Sequence, residues 1–203
     1  MTKCSHGLWS ALLAASLASA GCRTTPEPIE WTSPEAVVLD LPLVRQDELH
    51  ECGLAALTAL VRYWGAELSA ERLAELAALA AEHDGLSGAE LRAALEAEGW
   101  EVWIFAGELD RSALGLQHQV DEGRPPLVMI SPSGDLHHYC LVLGYDPPAH
   151  SVLLLDPRRG RIAMDETRFR AAWERSQRFT LLAVPPSAQT APPDPASNTE
   201  TAP

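Results

Sequence analysis

From position 52 onward, apolar side chains recur three and four residues apart. Leu54, Leu57, Leu60, Val61 and Trp64 share one face, which predicts a helix from about Cys52 to Trp64 that Gly65 stops. Ser69 opens a second helix through about Ala81, with Leu73, Leu76 and Leu79 or Ala80 turned inward. Ser87 and Glu90 have capping-box spacing and start a third, which ends near Gly99. The period then changes. "WEVWIF" (100–105) reads as a strand, and Asp110 to Glu122 as a fourth helix, ended by Gly123 and the Pro125–Pro126 pair. Four apolar runs follow as strands: 126–131, 137–146, 151–156 and 178–184. "SPSGD", "DPPAH" and "DPRRG" punctuate them as turns, and a short helix, Asp165 to Arg175, interrupts the series. Helices first and mostly antiparallel strands later predict an α+β domain, with N-terminal helices packed on the sheet.

The two ends carry no such pattern. Leu8 to Ala20 is apolar but too short to span a bilayer, and it follows Lys3, as in an export signal. "SAGC" (19–22) resembles a lipobox, so residues 1–21 are expected to be a lipoprotein signal peptide with Cys22 lipidated. Ordinary cleavage after Ala20 is the competing reading. Residues 22–36 would be a tether. Arg23 after the cysteine lacks the Asp of an inner-membrane retention signal, so an outer-membrane address is expected. Residues 185–203 are rich in Pro, Ser, Thr and Ala, without a large apolar side chain, and read as a disordered tail. The folded domain is therefore expected over 37–184. The net charge of −13 argues against nucleic acid and anionic membrane surfaces as partners.

Cysteine usage turns attention to chemistry. Cys4 falls in the signal, which leaves Cys52 and Cys140 in a domain expected to be exported. A disulfide between them competes with a free thiolate. Cys52 stands at the mouth of the first helix, where unpaired N–H groups and the helix dipole favour thiolate. Gly53 would leave room beside the sulfur for a substrate carbonyl. Gln46 could donate its amide to an oxyanion, joined by the Cys52 N–H. His137 and His138 open a strand whose side chains alternate. His138 shares a face with Cys140 and Val142, and His137 with Tyr139 and Leu141. Asp156 ends the next strand, where it could orient a neighbouring imidazole, with Asp146 the weaker alternative.

In this order and spacing, Gln46, Cys52–Gly53, His138–Tyr139 and Asp156–Pro157 resemble the bacteriocin-processing peptidase family. These are the double-glycine leader peptidases, a branch of the papain-like cysteine peptidases. "CGLAAL", "YWG" and "GLSGAELRAALEAEGWEV" belong to the same resemblance, which covers about 37–184. It implies a papain-like fold, Cys52 as nucleophile, His138 as base and acid, Asp156 as orienter and Gln46 as oxyanion donor. A peptide or protein substrate is implied, cut after small residues such as Gly-Gly, and no metal or organic cofactor. With an export signal in place of a transporter, the chain looks like the free-standing exported lipoproteins of the family. Two other functions stay open: a peptidoglycan amidase or endopeptidase, and an inactive peptidase-like binding module. The remaining histidines read as solvated, and the His137–His138 pair has no Cys or carboxylate at ligand spacing, so no zinc site is expected. Arg158, Arg159 and Arg161 could meet an acidic substrate or merely solvate a turn.

Overall fold

The computed structural model describes residues 33–134 and 136–186. Five helices appear: α1 (Cys52–Tyr63), α2 (Ala70–His83), α3 (Gly88–Ala97), α4 (Leu116–Asp121) and α5 (Glu166–Glu174). Seven strands accompany them: β1 (Val37–Val38), β2 (Glu101–Ala106), β3 (Leu127–Ile130), β4 (His138–Asp146), β5 (Ser151–Asp156), β6 (Gly160–Asp165) and β7 (Phe179–Val184). The strands form one antiparallel sheet in the order β2-β7-β3-β4-β5-β6, and β1 pairs with the far end of β4.

The caps are local and legible. Ser69 accepts from Arg72 N at the start of α2. Ser87 and Glu90 bond each other's backbone N–H groups at the start of α3, a reciprocal cap that typically stabilises by about 1 kcal/mol. Asp165 accepts from Thr167 and Arg168 N to start α5. Gly65 ends the turn after α1 at φ 74°, a left-handed conformation that favours glycine.

The core lies between α1 and the middle of the sheet. Leu57 and Leu60 of α1 and Leu141 and Leu143 of β4 are fully buried, as are Phe169 and Trp173 of α5. α1 is buried well beyond the expected face. Ala55, Ala56, Thr58 and Ala59 are buried as well, while Leu54 is only half-buried. The sheet, α2 and α3 all pack on it, so its small residues meet neighbours where a surface helix would meet water.

One expectation is corrected, and two short strands are added. The fourth helix starts at Leu116, because Asp110 instead builds a turn, accepting from Ser112 N at 2.9 Å. Residues 160–165, left unassigned after the "DPRRG" turn, form the edge strand β6, paired with β5 from Ser151↔Asp165 to Asp156↔Gly160. Val37–Val38, at the start of the domain expected over 37–184, form a short strand on β4.

Candidate active site

The register of β4 and β5 assembles the site. Leu141 pairs with Leu155, so continuing the ladder sets Asp156 opposite Cys140 and diagonal to His138 on one face. His138 Nε2 lies 2.9 Å from Asp156 Oδ1. Facing a carboxylate, that nitrogen carries the hydrogen and leaves Nδ1 for another partner. Asp156 is itself held firmly. Oδ1 also accepts from the N–H groups of Arg158 and Arg159 at 2.8 and 3.1 Å, and Oδ2 accepts from Arg159 Nε at 2.9 Å. The turn chemistry of Asp-Pro and the bond to histidine thus use the same carboxylate.

Cys52 reaches this pair because β5 ends early. Val142 N–H bonds to Pro126 O on the β3 side of β4. Two-residue alternation then aims Tyr139 N–H at the opposite edge, beyond the last residue of β5. The Cys52 sulfur takes that N–H, along with the N–H of Gly53 and a bond from His138. Burial, the largest influence, pushes the thiol up, but these donors together hold it below its ordinary value of 9.0. Burial alone would push His138 down. Its bonds to Asp156, Cys140 and Cys52 reverse that and push it up to about 12. Burial also works against the Asp156 carboxylate, yet His138 and Arg159 hold it well below the usual carboxylate range. All three directions favour thiolate, imidazolium and carboxylate in a row.

Gly53 does not leave open space. A Cβ there would sit 3.2 Å from Tyr139 Cδ2, so the glycine lets the helix end lie on the tyrosine ring. Strand alternation separates the two histidines, although the face of His137 also reaches the helix end through Tyr139. Tyr139 packs on Gly53 while His138 meets Cys52. His137 bonds elsewhere, with Nδ1 2.7 Å from Ser131 Oγ. Asp146 lies at the other end of β4, where Oδ1 accepts from Ala149 N in the turn to β5.

Gln46 lines the same cavity, of about 220 Å³, as His138 and Asp156. Its N–H bonds to Pro157 O, tying the loop before α1 to the hairpin that carries Asp156. Its Nε2 donates to Glu48 O at 2.8 Å and more weakly to Leu49 O at 3.4 Å, and its Oε1 is buried without a partner. Cys22 lies outside the described residues.

Sequence reasoning missed the second thiol at the imidazole. Cys52 and Cys140 are both free and buried, so no disulfide joins them. The ligating atoms of His138, Cys140 and Asp156 lie within 4.8 Å of one another, which corrects the expectation that the histidines lack partners at ligand spacing. The signal was present as His-x-Cys on one strand face. These groups could hold a metal such as zinc. An ion there would have to replace hydrogen bonds that already occupy both Asp156 oxygens.

A helix-borne thiol facing an imidazole–carboxylate pair on an antiparallel sheet, in a papain-like fold, defines the class: a cysteine peptidase. The chain belongs to the Peptidase C39 family, whose profile matches residues 40–186. The peptidase domain of Streptococcus ComA, a bifunctional ABC transporter involved in quorum sensing, is similar at 21% identity. The match covers 72% of this chain and 99% of that one, with a TM-score of 0.59. A double-glycine motif protease from an AMS/PCAT transporter, solved with the leader peptide, matches at 17% identity over 73% and 94% of the two chains, with a TM-score of 0.57. A Bacillus anthracis protein described as a C39-like peptidase matches at 17% identity over 74% and 98%, also with a TM-score of 0.57. No curated protein sequence matches the chain.

Proposed function

We propose that the protein is an exported, lipid-anchored peptidase that cuts a peptide or protein substrate through a Cys52–His138–Asp156 triad. The observation that carries this reading is the shared imidazole: His138 bonds Asp156 through Nε2 and also bonds the Cys52 thiol. Cys52 thiolate attacks the scissile carbonyl, and the carbonyl oxygen becomes an oxyanion. The Cys52 N–H stabilises it, joined by the Gln46 Nε2 hydrogen now making only the long contact to Leu49 O. The His138 imidazolium gives its proton to the leaving amine, which leaves a thioester on Cys52. Neutral His138 then takes a proton from water, the hydroxide adds to the thioester, and the acid product departs as the thiolate–imidazolium pair returns. Asp156 keeps the imidazole in the required tautomer.

The preferred bond follows a small pair such as Gly-Gly. Family membership supports this, as does the likeness to a double-glycine motif protease. The N-terminal pattern supports a layout of signal (1–21), tether (22–36) and tail (185–203) around the domain. Cys22 would be lipidated and the domain held at the outer membrane, facing the periplasm or the exterior.

The test is alkylation of Cys52 against pH in Cys140→Ser protein, followed by mass spectrometry of the Cys52 peptide, with and without His138→Ala. Rapid labelling near pH 6 that collapses in His138→Ala is the expected result. A labelling curve typical of a free thiol, indifferent to His138, would refute the triad.

A further inference from the structure

Peptide cleavage through the triad leaves Cys140 without a task. Its thiol is free and fully buried, yet it bonds the same imidazole as Cys52. Cys140 shares the strand face of His138, and continuing the β4–β5 ladder sets Asp156 opposite it. The ligating atoms of His138, Cys140 and Asp156 gather within 4.8 Å. The packing of α1 on β4 adds the second sulfur: Gly53 lets the helix end lie on Tyr139, next to Cys140 in sequence. A second thiol contributes nothing to acyl transfer. Two thiols and an imidazole around one point are, however, a donor set that suits zinc.

The bonding of Asp156 defines its part in such a site. Oδ1 accepts from His138 Nε2 and from the N–H groups of Arg158 and Arg159, and Oδ2 accepts from Arg159 Nε. As a ligand it would have to give up some of these bonds. Left as it is, it fixes the imidazole through Nε2 and keeps the other ring nitrogen for a metal. A carboxylate behind a histidine is the usual way a ligating imidazole is oriented. Entry is open as well. His138 and Asp156 line the cavity of about 220 Å³, and the His138 side chain keeps 16% of its exposure.

We propose that Cys52, Cys140 and the free ring nitrogen of His138 form a zinc site, in which the metal caps the nucleophile and silences the peptidase until it is removed. The silencing rests on the peptidase reading, and the metal site does not. Both sulfurs ligate as thiolates, and any proton on a ligating thiol or on that ring nitrogen passes to solvent. The lone pairs of nucleophile and base are then both bound to the ion, so neither attack nor proton transfer proceeds. The fourth position faces the cavity and takes a water. Paired thiolates favour zinc over magnesium and calcium, which prefer oxygen donors.

The experiment uses the full-length chain in detergent under reducing conditions, with Cys52→Ala/Cys140→Ala protein as the blank. Zinc is titrated in competition with a chromophoric chelator. Alkylation of Cys52 is read by mass spectrometry without metal, with zinc, and after EDTA. The expected result is a single zinc per chain that blocks alkylation until EDTA removes it, while magnesium and calcium leave alkylation unchanged. Losing a partner behind a ligand costs a metal site about 10–100-fold, so Cys140→Ala, which removes a ligand, should weaken zinc by at least about a hundredfold. Cobalt in place of zinc reads the donors directly on the wild type, through thiolate charge-transfer absorption, and needs no variant to fold. Zinc affinity unchanged in a folded Cys140→Ala protein, a cobalt spectrum without thiolate absorption, or alkylation indifferent to zinc would overturn the site. Cleavage of a Gly-Gly peptide is followed separately. Loss of cleavage with zinc and recovery with EDTA are expected, and cleavage untouched by zinc overturns the silencing while the peptidase reading stands. If nothing is cleaved but zinc still binds through both sulfurs, the peptidase reading fails and the metal site stands.

Discussion

The N-terminus of α1 and the middle of β4 each present a cysteine to the same imidazole, yet they make opposite thiols. Cys52 has the N–H groups of Tyr139 and Gly53 around its sulfur, and its pKa is lowered despite burial. Cys140 sits inside the ladder between β3 and β5, fully buried. For it, burial outweighs the bond to His138 and pushes the thiol up, and the nearby Asp156 carboxylate adds to the rise. A shared histidine therefore does not decide which cysteine is activated. The depth of burial and the supply of free backbone donors do. A helix start and the bare edge of a strand have them, and a paired strand has none to give.

The largest effect that would break this contrast lies at the two sulfurs themselves. Cys52→Ala should cut kcat/KM by at least about a thousandfold, while Cys140→Ala should keep it within about tenfold. Assay of both on a Gly-Gly peptide checks it, and equal losses would erase the asymmetry. Next comes the shared partner. Asp156→Asn should lower kcat on the order of a hundredfold or more, by loosening the imidazole and favouring the wrong tautomer. It should also lower Tm, because the carboxylate caps Arg158 and Arg159 N. A mutant with full activity and only a lower Tm would mark Asp156 as turn chemistry alone.

A pH series sharpens the contrast without mutation. Cys52 should alkylate well below pH 9.0, its ordinary value, and Cys140 only once the protein is unfolded. Stability has its own signs. The depressed Asp156 contributes stability that is present above 3.8 and is lost as pH falls further. The raised His138 contributes stability that is fully present below 6.5 and is lost progressively as pH rises from there toward about 12. Denaturant midpoints across pH would show a plateau between about 3.8 and 6.5 and a decline above it, and a midpoint that stays flat from pH 7 to pH 9 would contradict the raised His138. The smallest expected effect is on packing. Cys140→Ala should cost roughly 1–2 kcal/mol by emptying a sulfur-sized space in the core, read from the shift of the urea midpoint. No shift would mean that β4 closes over the gap.

Much of the frame could be read from pattern alone. The α1 to α3 region follows helical spacing, and the Ser69 and Ser87 caps lie where hydroxyl and glutamate spacing put them. β4 and β5 show as continuous apolar runs because both are interior strands of the sheet, buried on both faces. β6 escaped because an edge strand of six residues, with only Ile162 and Met164 strongly apolar, looks like the tail of its turn. The helix expected over 110–122 was cut short because Asp110 satisfies the chain locally in a turn, a competition that periodicity does not weigh.

For the site, the sequence supplied the identities and the tertiary structure their relations. Cys52 at a helix start, His138 at a strand start and Asp156 before proline are local facts, each set by neighbours a few residues away. Which histidine meets the sulfur is not local. His138 and Tyr139 both touch the helix end, and only the length of β5 decides that Tyr139 N–H is left free to meet Cys52. The gathering of Cys140 at the imidazole depends on the register of β4 against β5. Spacing along a chain reports which face a side chain takes. It does not report where a neighbouring strand stops, and that stopping point determines which backbone donors remain for chemistry.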